Sequence, residues 1–291
     1  MKTQVISFDY IREQVKTGIM HIGVGNFHRA HEEFYTNRLL ADTTQQNWGI
    51  CGVMLLPGDE RLYKALKKQD NIYTLTVCGR DGKDEVYCIG SLVELIWGVE
   101  NPKAVIDKIA DKDIKIITMT ITEGGYNIDK TSGEFMLGEN NVKHDITNTP
   151  RTPKTVLGFI AEGLRRRKEA GNGPITLLSC DNLQHNGNTA KKAFTTFITA
   201  QDKELAEWVE QNVTFPNSMV DRITPATRPE DVILLNEKNG TQDEAPVYSE
   251  DFIQWVIEDN FIAGRPAWET VGVEFTDDVT AYENMKLSLL N

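Results

Sequence analysis

Gly23-Val-Gly-Asn-Phe-His-Arg-Ala30 follows an apolar run and opens what reads as a helix. A glycine at 23 permits a tight turn, and one at 25 lets the backbone approach a phosphate with no Cβ between them. Asn26 and Phe27 follow these glycines as further cofactor-binding candidates, and the first N–H groups of the helix beyond them lack helical partners and suit a dinucleotide pyrophosphate. The third glycine of the dinucleotide fingerprint is absent. His28 takes its place, and Ala30 offers a small residue for the helix-to-strand contact. An ordinary tight turn is the competing reading.

Four further positions carry polar chemistry. Lys286 lies in Tyr282-Glu-Asn-Met-Lys-Leu-Ser-Leu-Leu-Asn291. A lysine acts as a general base near neutral pH only where burial or nearby cations depress its pKa well below about 10.4. Otherwise it is an exposed helical lysine. Glu283, one helical turn earlier, can pair with it or pass its proton to solvent. Asp59 follows the second long strand, where an acid accepts hydrogen bonds from the adenosine ribose and repels a 2′-phosphate. That favours NAD over NADP; the same residue also suits a helix N-cap. Asn182, in Ser179-Cys-Asp-Asn182, can donate an amide hydrogen to a developing alkoxide, or belong to an Asx-rich turn. A nucleotide cradle with a candidate proton acceptor implies a nicotinamide-dependent dehydrogenase. A methyltransferase with the same glycine loop would leave Lys286 without a task.

Composition narrows the partners. The formal charge of the 291 residues is −12, which argues against nucleic acid or an anionic membrane. The basic run Arg165-Arg-Arg-Lys168 reads as a solvated helix end favoured by the helix dipole. No apolar stretch reaches the roughly 20 residues that span a bilayer, and the N-terminus lacks a signal-peptide core. Four cysteines form no CxxC pair, so a reducing cytoplasm is the simplest compartment. No Cys or His pair has structural zinc spacing, which leaves open only a catalytic zinc assembled from distant ligands.

The elements that must position these residues alternate. Ile19–Ile22, Trp48–Leu56, Ile114–Ile121 and Pro174–Leu178 read as strands, and Ala30–Leu40, Asp59–Lys68, Pro153–Ala170 and Thr189–Gln211 as helices. Gly79-Arg-Asp-Gly82, between strand-like Tyr73–Val77 and Val86–Leu95, predicts an inserted hairpin. The order predicts an α/β fold, a mostly parallel sheet covered by helices on both faces. Residues 224–250, rich in acids and amides, read as a surface excursion. Asp277-Asp278 suits a helix start, so residues 1–276 are expected to form the nucleotide domain and 277–291 to begin a second, helical domain, most of it absent.

Five blocks resemble the polyol-specific long-chain dehydrogenases, typified by mannitol 2-dehydrogenase and including fructuronate reductase. They are His21–His31, Thr120-Ile-Thr-Glu-Gly-Gly-Tyr126, Ser179–Asn182, Phe215-Pro-Asn-Ser-Met-Val-Asp-Arg-Ile-Thr-Pro225 and Tyr282–Asn291. The resemblance implies a Rossmann-like, doubly wound NAD-binding domain and no metal. It implies that Lys286 is the catalytic base, that Asn182 and Asn291 stabilise the alkoxide, and that Glu283 gates proton exchange with water. Asp59 would read the ribose, and Val220 and Asp221 would lie near the nicotinamide. The implied reaction is hydride transfer between mannitol and NAD, giving fructose. A hexuronate oxidoreductase acting on fructuronate or altronate, and a non-catalytic NAD-binding module, are the alternatives. Two departures stand out. The family pattern continues past Asn291 to a histidine that this chain lacks, and Ser288 stands where an arginine is common.

Overall fold

The structure, a computed structural model, describes residues 3–148 and 152–290. Six strands form an all-parallel sheet: β1 (Thr17–Ile22), β2 (Gly49–Met54), β3 (Leu92–Trp97), β4 (Ile116–Met119), β5 (Ile175–Ser179) and β6 (Val213–Thr214). Their spatial order is β3-β2-β1-β4-β5-β6. The order reverses between β1 and β4, and in such sheets the crevice beyond the strand C-termini at that reversal is where ligands bind.

Continuous apolar sequence makes these strands, because both faces are covered. All six residues of β2 are buried, as are all four of β4 and all five of β5. Met20, Ile22, Ile117, Met119 and Leu177 face one core with helices Pro102–Ala110, Val156–Glu169 and Asn186–Gln201. Ile19, Ile50, Met54, Ile116 and Leu178 face a second core with helix Glu32–Leu39, Trp255 and Trp268. Each such aliphatic side chain contributes about 1.5–3 kcal/mol of transfer free energy when fully buried. No described helix is long and apolar enough to cross a membrane.

The expected hairpin is present, but outside the parallel sheet. Tyr73–Cys78 and Glu85–Ile89 pair antiparallel and join Val5–Ile6 and Val247–Glu250 in a separate four-stranded sheet. The run expected as one strand, Val86–Leu95, is therefore divided between two sheets. Gly90 marks the break: a Cβ there would meet the Phe8 ring at 2.7 Å, and the Arg12 guanidinium donates to the carbonyls of Gly90 and Leu92. Residues 224–250 are not merely an excursion, since they contain helix Pro229–Asn239 as well as Val247–Glu250. A third sheet joins Ser218–Asp221, Gln254–Glu258 and Glu274–Thr276.

Three local readings need correction. The expected helix Ala30–Leu40 begins earlier, at Asn26, and breaks at His31. Thr189–Gln211 is two helices, because Asp202 leaves helical geometry and caps the second by accepting from the Leu205 N–H. Arg165–Lys168 is only in part a solvated end: Arg166 is exposed, but the next residue is not. Arg167 is fully buried, and its guanidinium donates to six main-chain carbonyls, among them Ile109, Asp111 and Ile114.

Candidate active site

The turn after β1 is built on a glycine constraint. Gly23 has φ +97°, and a Cβ there would lie 2.2 Å from the Thr120 carbonyl oxygen at the end of β4. No side chain fits. Gly25 is different, because a Cβ would meet nothing within 4 Å, so open space lies in front of helix Asn26–Ala30. Beside this turn is a cleft of about 570 Å³ lined by Gly23, Leu55, Pro57, Gly98, Thr120 and Thr122, among others. Asn26 spends its side chain on the Pro225 carbonyl and on Arg29, leaving its backbone for any ligand. Phe27 stacks on His31. Asp59 follows the cleft residues Leu55, Leu56 and Pro57 in a 3-10 turn, and partial burial raises its carboxyl pKa. It stands at the N-cap position of helix Glu60–Lys68 but makes no side-chain capping bond, so the capping role is not observed.

Beneath the turn lies a buried polar cluster that sequence reading did not anticipate. His21 stacks on His28 with ring centroids 3.4 Å apart and planes 5° from parallel. His21 Nε2 is 3.1 Å from the Gly23 carbonyl oxygen, and His28 Nε2 is 2.9 Å from Glu33. Burial and the neighbouring His28 lower the His21 pKa. For His28, burial is outweighed by the neighbouring Glu32 and Glu33 carboxylates, and its pKa rises. The opposite shifts favour one neutral ring stacked on one imidazolium. His21, His28 and Glu32 bring possible ligand atoms within 4.8 Å of one another. An ion shared by two rings stacked so closely would lie well out of both ring planes, whereas imidazole binds metal in its plane through a nitrogen lone pair.

Lys286 sits on helix Thr280–Leu290, and its Nζ donates to Asn182 Oδ1 and to the Val220 carbonyl, each at 2.7 Å. These bonds leave one position on Nζ, a third proton when charged and a lone pair when neutral. Burial lowers the lysine pKa, while the charges of Asp221 and Glu283 oppose the shift. Asn182, Val220, Glu283 and Lys286 line one cavity of about 160 Å³. Glu283 is buried on that helix and accepts from the His185 N–H at 2.8 Å; the His185 ring, half-exposed, is 3.7 Å from its other oxygen. Asn291 lies outside the described residues.

Residues far apart in sequence thus meet at the C-terminal edge of the sheet: the ends of β1, β4 and β5, the strand Ser218–Asp221 and the helix of Lys286. Sequence reading missed the residues that hold them there. Asp181 accepts from the N–H groups of Ile121 and Thr122, and the Asn186 amide bridges Ser179 O, Asp181 O and the Ser218 N–H. Their only trace in the sequence is the density of Asx residues in Ser179–Gly187.

The strand order, the glycine turn and the cleft at the reversal define a dinucleotide-binding Rossmann domain. Residues 17–270 match the family model for the mannitol dehydrogenase Rossmann domain, and the chain belongs to that family. It is 47% identical to a polyol:NADP oxidoreductase of Gluconobacter oxydans, over 97% of this chain and 58% of the relative. It is 42% identical to a D-mannonate oxidoreductase of Escherichia coli over 98% of this chain and 58% of that protein. It superposes on the Pseudomonas fluorescens mannitol 2-dehydrogenase complex with NAD and D-mannitol with a TM-score of 0.94. The identity is 45%, covering 97% of this chain and 57% of that one. The chain therefore spans little more than half the length of these relatives.

Proposed function

We propose that this chain is the cofactor-binding part of an NAD-dependent oxidoreductase that interconverts a polyol and a ketose, mannitol and fructose in the first instance. Residues 1–276 form its nucleotide domain, and 277–291 begin the second domain of the complete enzyme. The observation that carries the reading is Lys286 Nζ held 2.7 Å from both Asn182 Oδ1 and the Val220 carbonyl, beside the cleft of the glycine turn. The residues present fit a dinucleotide. The space before Gly25 admits phosphate against first-turn N–H groups, and Asp59 stands where an acid reads a ribose and disfavours a 2′-phosphate. Val220 and Asp221, on the Lys286 side, would lie near the nicotinamide.

Bound NAD supplies the hydride acceptor. The chain's own residues handle the proton: neutral Lys286 takes it from the substrate hydroxyl, and Asn182 donates its amide to the alkoxide. Removing one such donor costs about 3 kcal/mol of barrier in other enzymes. Asn291 is assigned the matching role, and Glu283 passes the proton from Lys286 outward.

Thermal unfolding with NAD, NADP or neither tests the cofactor reading. At a hundredfold excess over Kd the bound ligand stabilises by about 2.7 kcal/mol, a shift on the order of 5 °C. NAD is expected to give this shift and NADP much less. Fructose-dependent NADH oxidation that Lys286→Ala abolishes would establish the chemistry. A shift without turnover would fit a cofactor domain alone, and no shift with either nucleotide overturns the reading. The relation to the D-mannonate oxidoreductase favours one second substrate class, hexuronates, and oxidation of NADH by fructuronate rather than fructose would select it.

A further inference from the structure

Asp181 follows the end of β5, and its carboxylate is spent on the loop after β4. Oδ1 accepts from the Thr122 N–H at 2.9 Å, and Oδ2 from the Ile121 N–H at 3.1 Å and the Tyr126 hydroxyl at 2.6 Å. Tyr126 is fully buried and also reaches Ser179 Oγ at 2.6 Å. The carboxylate is itself buried. Burial raises its pKa against these three donors, so their hydrogen bonds offset a real desolvation cost.

The loop it grips is in an unfavourable conformation. Thr122 has φ +62°, a left-handed geometry that a β-branched residue rarely adopts. Such geometry persists only where the surroundings over-determine it. Ile121 and Thr122 line the cofactor cleft, whereas Asp181 and the next residue, Asn182, line the cavity of Lys286. The main chain of Asp181 is fixed in turn, because its carbonyl accepts from Asn186, whose own amide oxygen accepts from the Ser218 N–H.

We propose that Asp181 is a positioning residue joining the two halves of the site: its carboxylate holds Thr122 in the left-handed conformation that shapes the cofactor cleft, while its main chain presents Asn182 to Lys286. The inference rests on the cleft binding a dinucleotide. In Asp181→Asn the amide can accept from only one loop N–H at full strength, and its NH2 group faces another donor.

The test is a double-mutant cycle in this chain, read by NADH fluorescence and by the amide NMR shifts of Ile121 and Thr122. Asp181→Asn is expected to weaken NADH binding about tenfold, the scale of one hydrogen bond to a charged group, and to move both amide resonances. Thr122→Gly adopts the left-handed conformation without strain. It should raise Tm alone and restore most of the lost affinity when combined with Asp181→Asn. A residue important only for stability would show no such rescue. Unchanged affinity and amide shifts in Asp181→Asn, or no rescue by Thr122→Gly, overturns the proposal. Should Asp181→Asn not fold, a lower Tm for Thr122→Gly alone does the same. Absence of NADH binding by the unmodified chain would sink the nucleotide reading instead, while the amide shifts and the Thr122→Gly Tm still judge the tie between Asp181 and the loop.

Discussion

Lys286 is half-buried, and its protonation is set by opposing influences: burial disfavours the ammonium, and the charges of Asp221 and Glu283 favour it. A lysine that accepts the substrate proton must be neutral, so oxidation by the complete enzyme should rise with pH through the Lys286 pKa. Glu283→Gln keeps an acceptor for the His185 N–H but removes a negative charge. The lysine pKa then falls further, and the rising limb of the kcat/KM profile for polyol oxidation should move to lower pH. A limb that stays put or moves up would show that Glu283 does not act on Lys286. At this scale the sequence revealed residue types well and their supports poorly. Lys286 and Asn182 stood out because their side chains can do chemistry. Asp181 and Asn186 did not, because their work is accepting and donating to main chain that only the fold brings near.

The element proposed to bind the nucleotide is the turn from β1 into the helix at Asn26, and its two glycines do different work. Gly23→Ala would force a Cβ to 2.2 Å from the Thr120 carbonyl at φ +97°, separating β1 from β4. Gly25→Ala places a Cβ in open space at an extended φ of −114°. Calorimetry of the free chains should therefore find Tm strongly lowered by the first substitution and nearly unchanged by the second. Equal losses would mean that Gly25 has a packing role absent from the structure. Elements were legible where periodicity and turn chemistry agreed, as in β2 and β4. They were misread where one residue governs geometry from a distance. Gly90 against Phe8 splits one strand-like run between two sheets, and Arg167, read as solvated, draws together carbonyls at the C-terminal end of helix Pro102–Ala110.

Over the whole molecule, buried histidines give stability a pH dependence of definite sign. His28 has a raised pKa in the fold, so its contribution is present below the unfolded value of about 6.5 and is lost as pH rises through the folded one. His21 is lowered, and His31 is pushed down to about 3 by burial. Their neutral forms favour the fold, and that stability is lost as pH falls below about 6.5. The denaturation midpoint in urea should pass through a maximum near pH 6–7, and His28→Gln should flatten the alkaline side. The parallel sheet, its two covered faces and its ligand edge were legible because strand and helix alternation admits few topologies. The stacked histidine pair was not, since His21 and His28 are joined only by the turn between them.

Fluorescence titration of NADH into this chain and into Gly25→Ala tests directly whether the space before Gly25 takes a dinucleotide. Saturable binding by the first and its loss in a Gly25→Ala chain of unchanged Tm is the expected result. Equal binding by both, or none by the unmodified chain, would contradict it.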